Sequence, residues 1–160
     1  MQVIYQSPIG KIILKSSFGK LNELRFIDEL ECSMLKASKS CDSNTLLALK
    51  ELDLYFNGKL KFFKCEFEIL NASAFVMAIY QALLKVKYGQ STTYSALSQN
   101  AGYLRAQRAC GNALNKNPLA IIIPCHRVLA KSSFGGYAQG LQRKKFLLEL
   151  EKSYNKGKIL

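Results

Sequence analysis

The sequence holds one histidine, no tryptophan and three prolines, and it has no acidic residue between Ala72 and Leu148. One histidine is too few for the usual Cys/His zinc site, so no metal is expected. The five cysteines, at 32, 41, 65, 110 and 125, form no C-x-x-C pair and are odd in number, which points to reducing conditions rather than a disulfide framework. The opening Met1-Gln2-Val3-Ile4-Tyr5 lacks a basic region followed by a long apolar run, and no apolar run approaches membrane-spanning length. These absences describe a soluble, cytoplasmic protein with no membrane partner.

What is present is unevenly distributed. Residues 1 to 71 carry 10 basic against 9 acidic side chains, whereas residues 72 to 160 carry 13 against 2. A half-chain so poor in carboxylates projects a positive field suited to a polyanion such as nucleic acid. The 160 residues suffice for two small domains, with the boundary expected near Asn71: 1–71 and 72–160. The expected class is α/β, an N-terminal antiparallel sheet with a helix followed by a mainly helical C-terminal domain.

In the first half, Val3-Ile4-Tyr5, Ile12-Ile13-Leu14 and Leu21 to Phe26 are β-rich runs separated by turn residues, a small meander. Residues 28 to 44 read as a loop or ragged helix. Thr45 to Asn57 reads as a helix with Leu46, Leu49, Leu52, Leu54 and Phe56 on its apolar side, capped by Ser43 or Asn44. Phe63, Cys65 and Phe67 alternate with charged residues as in a half-exposed strand. The carboxylates here are scattered and read as a solvated face.

In the second half, Ser73 caps a helix whose stripe is Phe75, Val76, Ile79, Leu83 and Val86. A short helix from Tyr94 to Gln99, a break at Asn100-Ala101-Gly102, and a third helix from near Leu104 to Leu114 form a helix-turn-helix candidate. That third helix is rich in small residues, Ala106, Ala109, Gly111 and Ala113. Either another helix packs closely on it or its backbone approaches a ligand such as a DNA groove; Arg105 and Arg108 favour the second. Lys131 to Tyr137 reads as a flexible loop and Leu141 to Glu151 as a final helix, with Leu141, Leu147, Leu148 and Leu150 inward and a frayed tail from Lys152.

Between these elements lies Ile121-Ile122-Ile123-Pro124-Cys125-His126-Arg127-Val128. Three β-branched residues ended by proline read as a short buried strand. A thiol at its end, followed by an imidazole and a guanidinium, is in surroundings that favour thiolate. The bland alternative is an inert buried thiol.

The string Pro124-Cys125-His126-Arg127-Val128, with Asn117-Pro118, Arg108-Ala109-Cys110-Gly111 and Thr93-Tyr94 in matching order, closely resembles the O6-alkylguanine-DNA alkyltransferase family over about residues 73 to 151. The resemblance implies irreversible, self-inactivating transfer of an alkyl group from guanine O6 in double-stranded DNA to the protein's own cysteine, with no cofactor, by a monomer. By match, Cys125 is the acceptor, His126 its base through a water, Glu151 the carboxylate that holds the imidazole, and Tyr94 a donor near guanine N3. The carbonyls of Cys125 and Val128 match acceptors for the guanine 2-amino group. Ala138, where relatives often carry serine, would serve O6 through its N–H, and Asn117 ties the active-site turn to the recognition helix. Ala106, Gln107, Arg108, Ala109, Gly111 and Asn112 match the minor-groove surface, with Arg108 filling the stack vacated by a flipped base. Gln107 and Asn112 depart from the Ala or Gly usual there. A DNA-binding module without chemistry and a cysteine hydrolase are the competing classes; the second would bring its histidine from a distant part of the chain.

Overall fold

The computed structural model describes residues 1–156, with nothing said of the side chains of 155 and 156. The chain forms two compact units: Met1–Leu70 together with Pro118–Ile122, and Asn71–Asn117 together with the described residues from Ile123 on.

The first unit is built on an antiparallel sheet, β1 (Gln2–Ser7), β2 (Gly10–Ser17) and β3 (Lys20–Ile27), in that order. The β2–β3 hairpin closes through Phe18-Gly19, both at positive φ (50° and 75°), the geometry that matches the strands' own twist. Ile12, Ile13 and Leu14 are all fully buried, so the middle strand is covered on both faces rather than alternating. A short helix, α1 (Glu29–Met34), is capped by Asp28, and α2 (Ser43–Phe56) follows.

The α2 cap is Asp42, whose carboxylate accepts the Thr45 N–H, one residue before the two candidates read from the sequence. Its buried face is Thr45, Ala48, Glu51, Leu52, Tyr55 and Phe56, while Leu46, Leu47 and Leu54 are exposed. The leucine-rich stripe misled because Glu51 points inward: its carboxylate accepts the N–H groups of Lys64 (2.8 Å) and Cys65 (3.0 Å). It is therefore an internal clamp on the 63–67 segment and no part of a solvated face. That segment forms no extended ladder; it meets β3 through an isolated bridge, Leu21 to Phe67.

Pro118–Ile122, read from the sequence with the second domain and as a strand entering the cysteine, belongs to the first unit. Leu24 N–H donates to Pro118 O and Ala120 N–H to Leu24 O, so the segment covers the open edge of β3. The three isoleucines are buried, as expected, but they turn. Ile121 sits at φ 72° between Ala120 O and the Ile122 N–H that bonds it, a tight turn of the rare hand, costly for a β-branched residue.

In the second unit, α3 (Ala74–Leu84) is capped by Ser73 and buries Ile79, Tyr80, Ala82 and Leu83. A two-residue strand, β4 (Thr92–Thr93), leads into α4 (Tyr94–Asn100), capped by Thr93, and then α5 (Gln107–Asn115). The third helix thus begins at Gln107 rather than Leu104; Arg105 lies outside it at φ 56° and Ala106 precedes its first turn. A single 3-10 turn, Cys125–Arg127, runs into β5 (Val128–Leu129), which pairs parallel to β4. The final helix, α6 (Leu141–Lys156), buries Leu147 and Leu148 but leaves Leu141 exposed. It extends beyond the point where fraying was expected; the rest of the tail lies outside the described residues. No helix among them is long and apolar enough to cross a membrane.

The Glu51 clamp gives a stability prediction for the first unit. Glu51→Leu strands two N–H groups and should cost about 2 kcal/mol or more, whereas Glu51→Gln, which keeps one acceptor, should cost less. Urea unfolding checks this; equal midpoints for Leu and wild type would show that solvent satisfies Lys64 and Cys65.

Candidate active site

Cys125 opens the 3-10 turn. Pro124, at φ −81° and ψ 62°, allows the Cys125 N–H to bond back to Ile123 O, and the Arg127 N–H then bonds Pro124 O. Adjacent residues of a strand would face opposite sides; this coil instead lets Cys125, His126 and Arg127 fan out within a few ångströms. All three are buried, His126 completely.

Asn117, the first residue beyond the α5 C-cap, donates through Nδ2 to both Ile123 O (2.8 Å) and Cys125 Sγ (3.1 Å). It links the end of α5 to the cysteine turn. The Tyr80 hydroxyl adds a second tie to α5 by donating to Ala113 O at 2.8 Å.

His126 and Arg127 both turn to Glu151 on α6. His126 Nε2 is 2.7 Å from Glu151 Oε1, Arg127 Nε donates to Oε2 at 2.9 Å and Nη2 to Oε1 at 3.0 Å, and Gly89 N–H donates to Oε2 at 3.0 Å. Arg127 also donates to Val86 O and lies over the Tyr88 ring. Burial alone would raise the Glu151 carboxyl, but the His126 and Arg127 hydrogen bonds and charges outweigh it and hold the group well below the usual carboxylate range. His126 Nδ1 has no partner among the described residues.

The electrostatics correct one expectation. The guanidinium next to Cys125 does not activate the thiol, because Arg127 is committed to Glu151. Burial pushes the Cys125 thiol up, opposed by the Asn117 hydrogen bond, the backbone N–H groups of the turn and the charge of Lys144. Burial likewise lowers His126, against the pull of Glu151. Burial thus favours the thiol and the neutral imidazole alike.

Tyr94, at the start of α4, is half-buried, and its hydroxyl makes a long 3.4 Å bond to Gly136 O. Burial raises it above its ordinary value, keeping it a donor. The segment Lys131 to Tyr137, read as flexible, packs against it: a Cβ on Gly135, itself at φ 70°, would lie 3.0 Å from the Tyr94 hydroxyl and 3.1 Å from Ala130 N. Gly135 is required there by both backbone conformation and close approach. Tyr137 adds a buried hydroxyl that feels the charge of Cys125.

The remaining expected residues separate. Val128 is buried, with its carbonyl accepting Lys144 Nζ at 2.6 Å, and Ala138 is exposed. On α5, Gln107, Arg108, Ala109 and Asn112 face solvent, and Ala106 is half-buried just before the helix. Cys110 and Ala113 face inward, and a Cβ on Gly111 would meet the Tyr94 ring at ordinary contact distance. Of the small residues, Ala113 is buried and Ala109 is exposed, so α5 packs on one side and leaves an open face on the other. Tyr137 and Lys144 were missed, and Arg127 was expected to act on the thiol rather than on Glu151: a basic residue next to a histidine, or within an Arg-Lys-Lys run, carries no sequence signal of burial.

Residues 74–153 match the family model for the DNA-binding domain of 6-O-methylguanine DNA methyltransferase. A methylated-DNA–protein-cysteine methyltransferase of Metallosphaera sedula is 41% identical over 150 residues, covering 93% of this chain and 91% of that protein. The crystal structure of the O6-methylguanine methyltransferase of Mycobacterium tuberculosis superposes with a TM-score of 0.84 at 34% identity, covering 96% of this chain and 93% of that one. The protein of that organism solved in complex with DNA matches at 0.83 and 35%, with 94% and 92% covered. Because the likeness runs through both units, and the family model spans the cysteine turn and the Glu151 helix, the chain belongs to the methylated-DNA–protein-cysteine methyltransferase family.

Proposed function

We propose that this protein repairs O6-alkylguanine in double-stranded DNA by transferring the alkyl group once, irreversibly, to Cys125. The observation that carries the reading is the Cys125 turn itself, a buried thiol held by Asn117 with the His126–Glu151 pair immediately behind it.

The reaction needs a thiolate only when substrate is present. The thiol proton passes through a bridging water to His126 Nδ1, and Glu151 stabilises the imidazolium formed. The sulfur attacks the alkyl carbon in line, the S–C bond forms as the C–O6 bond breaks, and the electron pair leaves with the guanine. Tyr94, released from its long bond to Gly136 O, donates to N3 as that charge develops. The Cys125 and Val128 carbonyls orient the 2-amino group and the Ala138 N–H faces O6. Among the described residues no group is placed to hydrolyse the thioether, so the protein is consumed.

The second unit is the DNA-binding and acceptor domain in this reading, the first a smaller α/β domain. The exposed α5 face of Gln107, Arg108, Ala109 and Asn112, with Ala106 and Gly111 beside it, enters the minor groove, whose degenerate pattern suits a lesion of any sequence context. Arg108 occupies the place of the extruded base. The protein acts as a monomer without cofactor, and a reducing cytoplasmic setting keeps the single-use thiol intact.

Three outcomes test this. Excess methyl-labelled O6-methylguanine duplex should deposit one methyl per protein, mapped to Cys125 by peptide mass; label on Cys110, or release beyond one equivalent, would overturn the reading. Glu151→Gln removes the charge that supports imidazolium, so proton transfer from the thiol requires a higher pH and the rising limb of the pH–rate profile should move alkaline; an unmoved profile would make Glu151 purely structural. Arg108→Ala should slow transfer from duplex about tenfold or more, an effect of about 1.4 kcal/mol, yet leave reaction with free O6-methylguanine nearly unchanged. Equal losses on both substrates would assign Arg108 to the fold or active site instead.

A further inference from the structure

Lys144 is the one residue of the α6 Arg143-Lys144-Lys145 run with no exposed surface. Its ammonium donates to Val128 O at 2.6 Å and to Gly136 O at 2.9 Å, and no carboxylate pairs with it among the described residues. An unpaired cation at full burial is costly, and here the first turn of a helix, where the dipole is positive, adds to the cost. A neutral donor such as glutamine would serve a carbonyl without the cost of burying a charge, whereas leucine would strand both. What a neutral donor could not supply is charge, and the Lys144 charge acts on Cys125.

We propose that Lys144 is a positioning residue for the alkyl transfer, its buried ammonium favouring the Cys125 thiolate while its two hydrogen bonds hold Val128 and Gly136 at the edge of the substrate site. This rests on Cys125 being the alkyl acceptor. The two carbonyls come from different segments, β5 and the Gly135-Gly136 loop that contacts Tyr94. One side chain thus fixes the strand carrying an expected guanine contact and the loop against which the expected N3 donor rests. Its three N–H donors leave one beyond the two carbonyls.

The groups around this ammonium set the sign. From the 3-10 turn, Cys125 raises Lys144 through its thiolate, and the lysine in turn lowers His126. Arg127 is neutralised by Glu151, which lies two turns further along α6. From the loop, the Tyr137 hydroxyl interacts with Cys125, and Arg143 precedes Lys144 on its own helix. Burial lowers the ammonium to about 8, with the Cys125 charge opposing the shift. Forming the thiolate strengthens the ammonium, and the ammonium strengthens the thiolate, so the pair is reciprocal.

The test compares single-turnover methyl transfer from O6-methylguanine duplex across the neutral-to-alkaline range for wild type, Lys144→Met and Lys144→Gln, with Lys145→Met as the exposed neighbour control. Met fills the same volume without charge; Gln can still donate to one carbonyl. Both should keep the fold by circular dichroism and thermal melting, and both should move the rising limb of the pH–rate profile alkaline by about one unit or more, equivalent to about tenfold in rate on that limb. Lys145→Met should match wild type. A wild-type midpoint in either folded variant overturns the proposal; if only Gln recovers it, the carbonyl tether and not the charge is what matters. Failure of wild type itself to methylate Cys125 would instead overturn the assignment of the acceptor, so the two ideas fail separately.

Discussion

A single buried carboxylate organises the second unit. Glu151, with no exposed surface, accepts from an imidazole, from two nitrogens of a guanidinium and from the Gly89 backbone. The donors come from two parts of the fold: the cysteine turn supplies two side chains and the segment before β4 supplies the amide. Removing one partner from such a cluster leaves an uncompensated buried charge at a cost of several kcal/mol. The cluster therefore fixes the orientation of His126 by the same interactions that hold α6 against the turn.

Burial favours the protonated form of the Cys125 thiol. A protonated cysteine in an apolar pocket is a poor nucleophile and a poor target for oxidants, since thiolate is the reactive form. For the proposed single-use acceptor the effects oppose one another: burial raises the thiol, while Asn117, the turn amides and Lys144 favour the charged form.

Much of this was legible in the sequence, and the failures share a cause. Ser73 as a cap, the three-strand meander and the α4–α5 pair were readable because they rest on local rules of spacing and side-chain capping. The pairing of His126 with Glu151 was readable only through family resemblance, since 25 residues separate them. Ile121-Ile122-Ile123 was read correctly as buried and wrongly as extended, because burial and β-propensity say nothing of a positive φ. Glu51 was read with a solvated face, Arg127 as an activator of the thiol, and Lys144 drew no reading, since charged residues are usually exposed. Each is buried for a partner that composition cannot reveal: two amides, a carboxylate and two carbonyls.

The Pro118–Ala120 segment that pairs with Leu24 has a consequence for the order in which the chain can be assembled. When the β3 strand leaves the ribosome, the residues that cover its edge are more than ninety positions behind it, about ten seconds of synthesis at about ten residues per second. Through that interval the first unit exposes an unpaired strand edge, the kind of surface that templates aggregation. The helices α3, α4 and α5 must emerge before the edge can be closed, so the smaller unit, although first in sequence, is the one whose completion waits on the other.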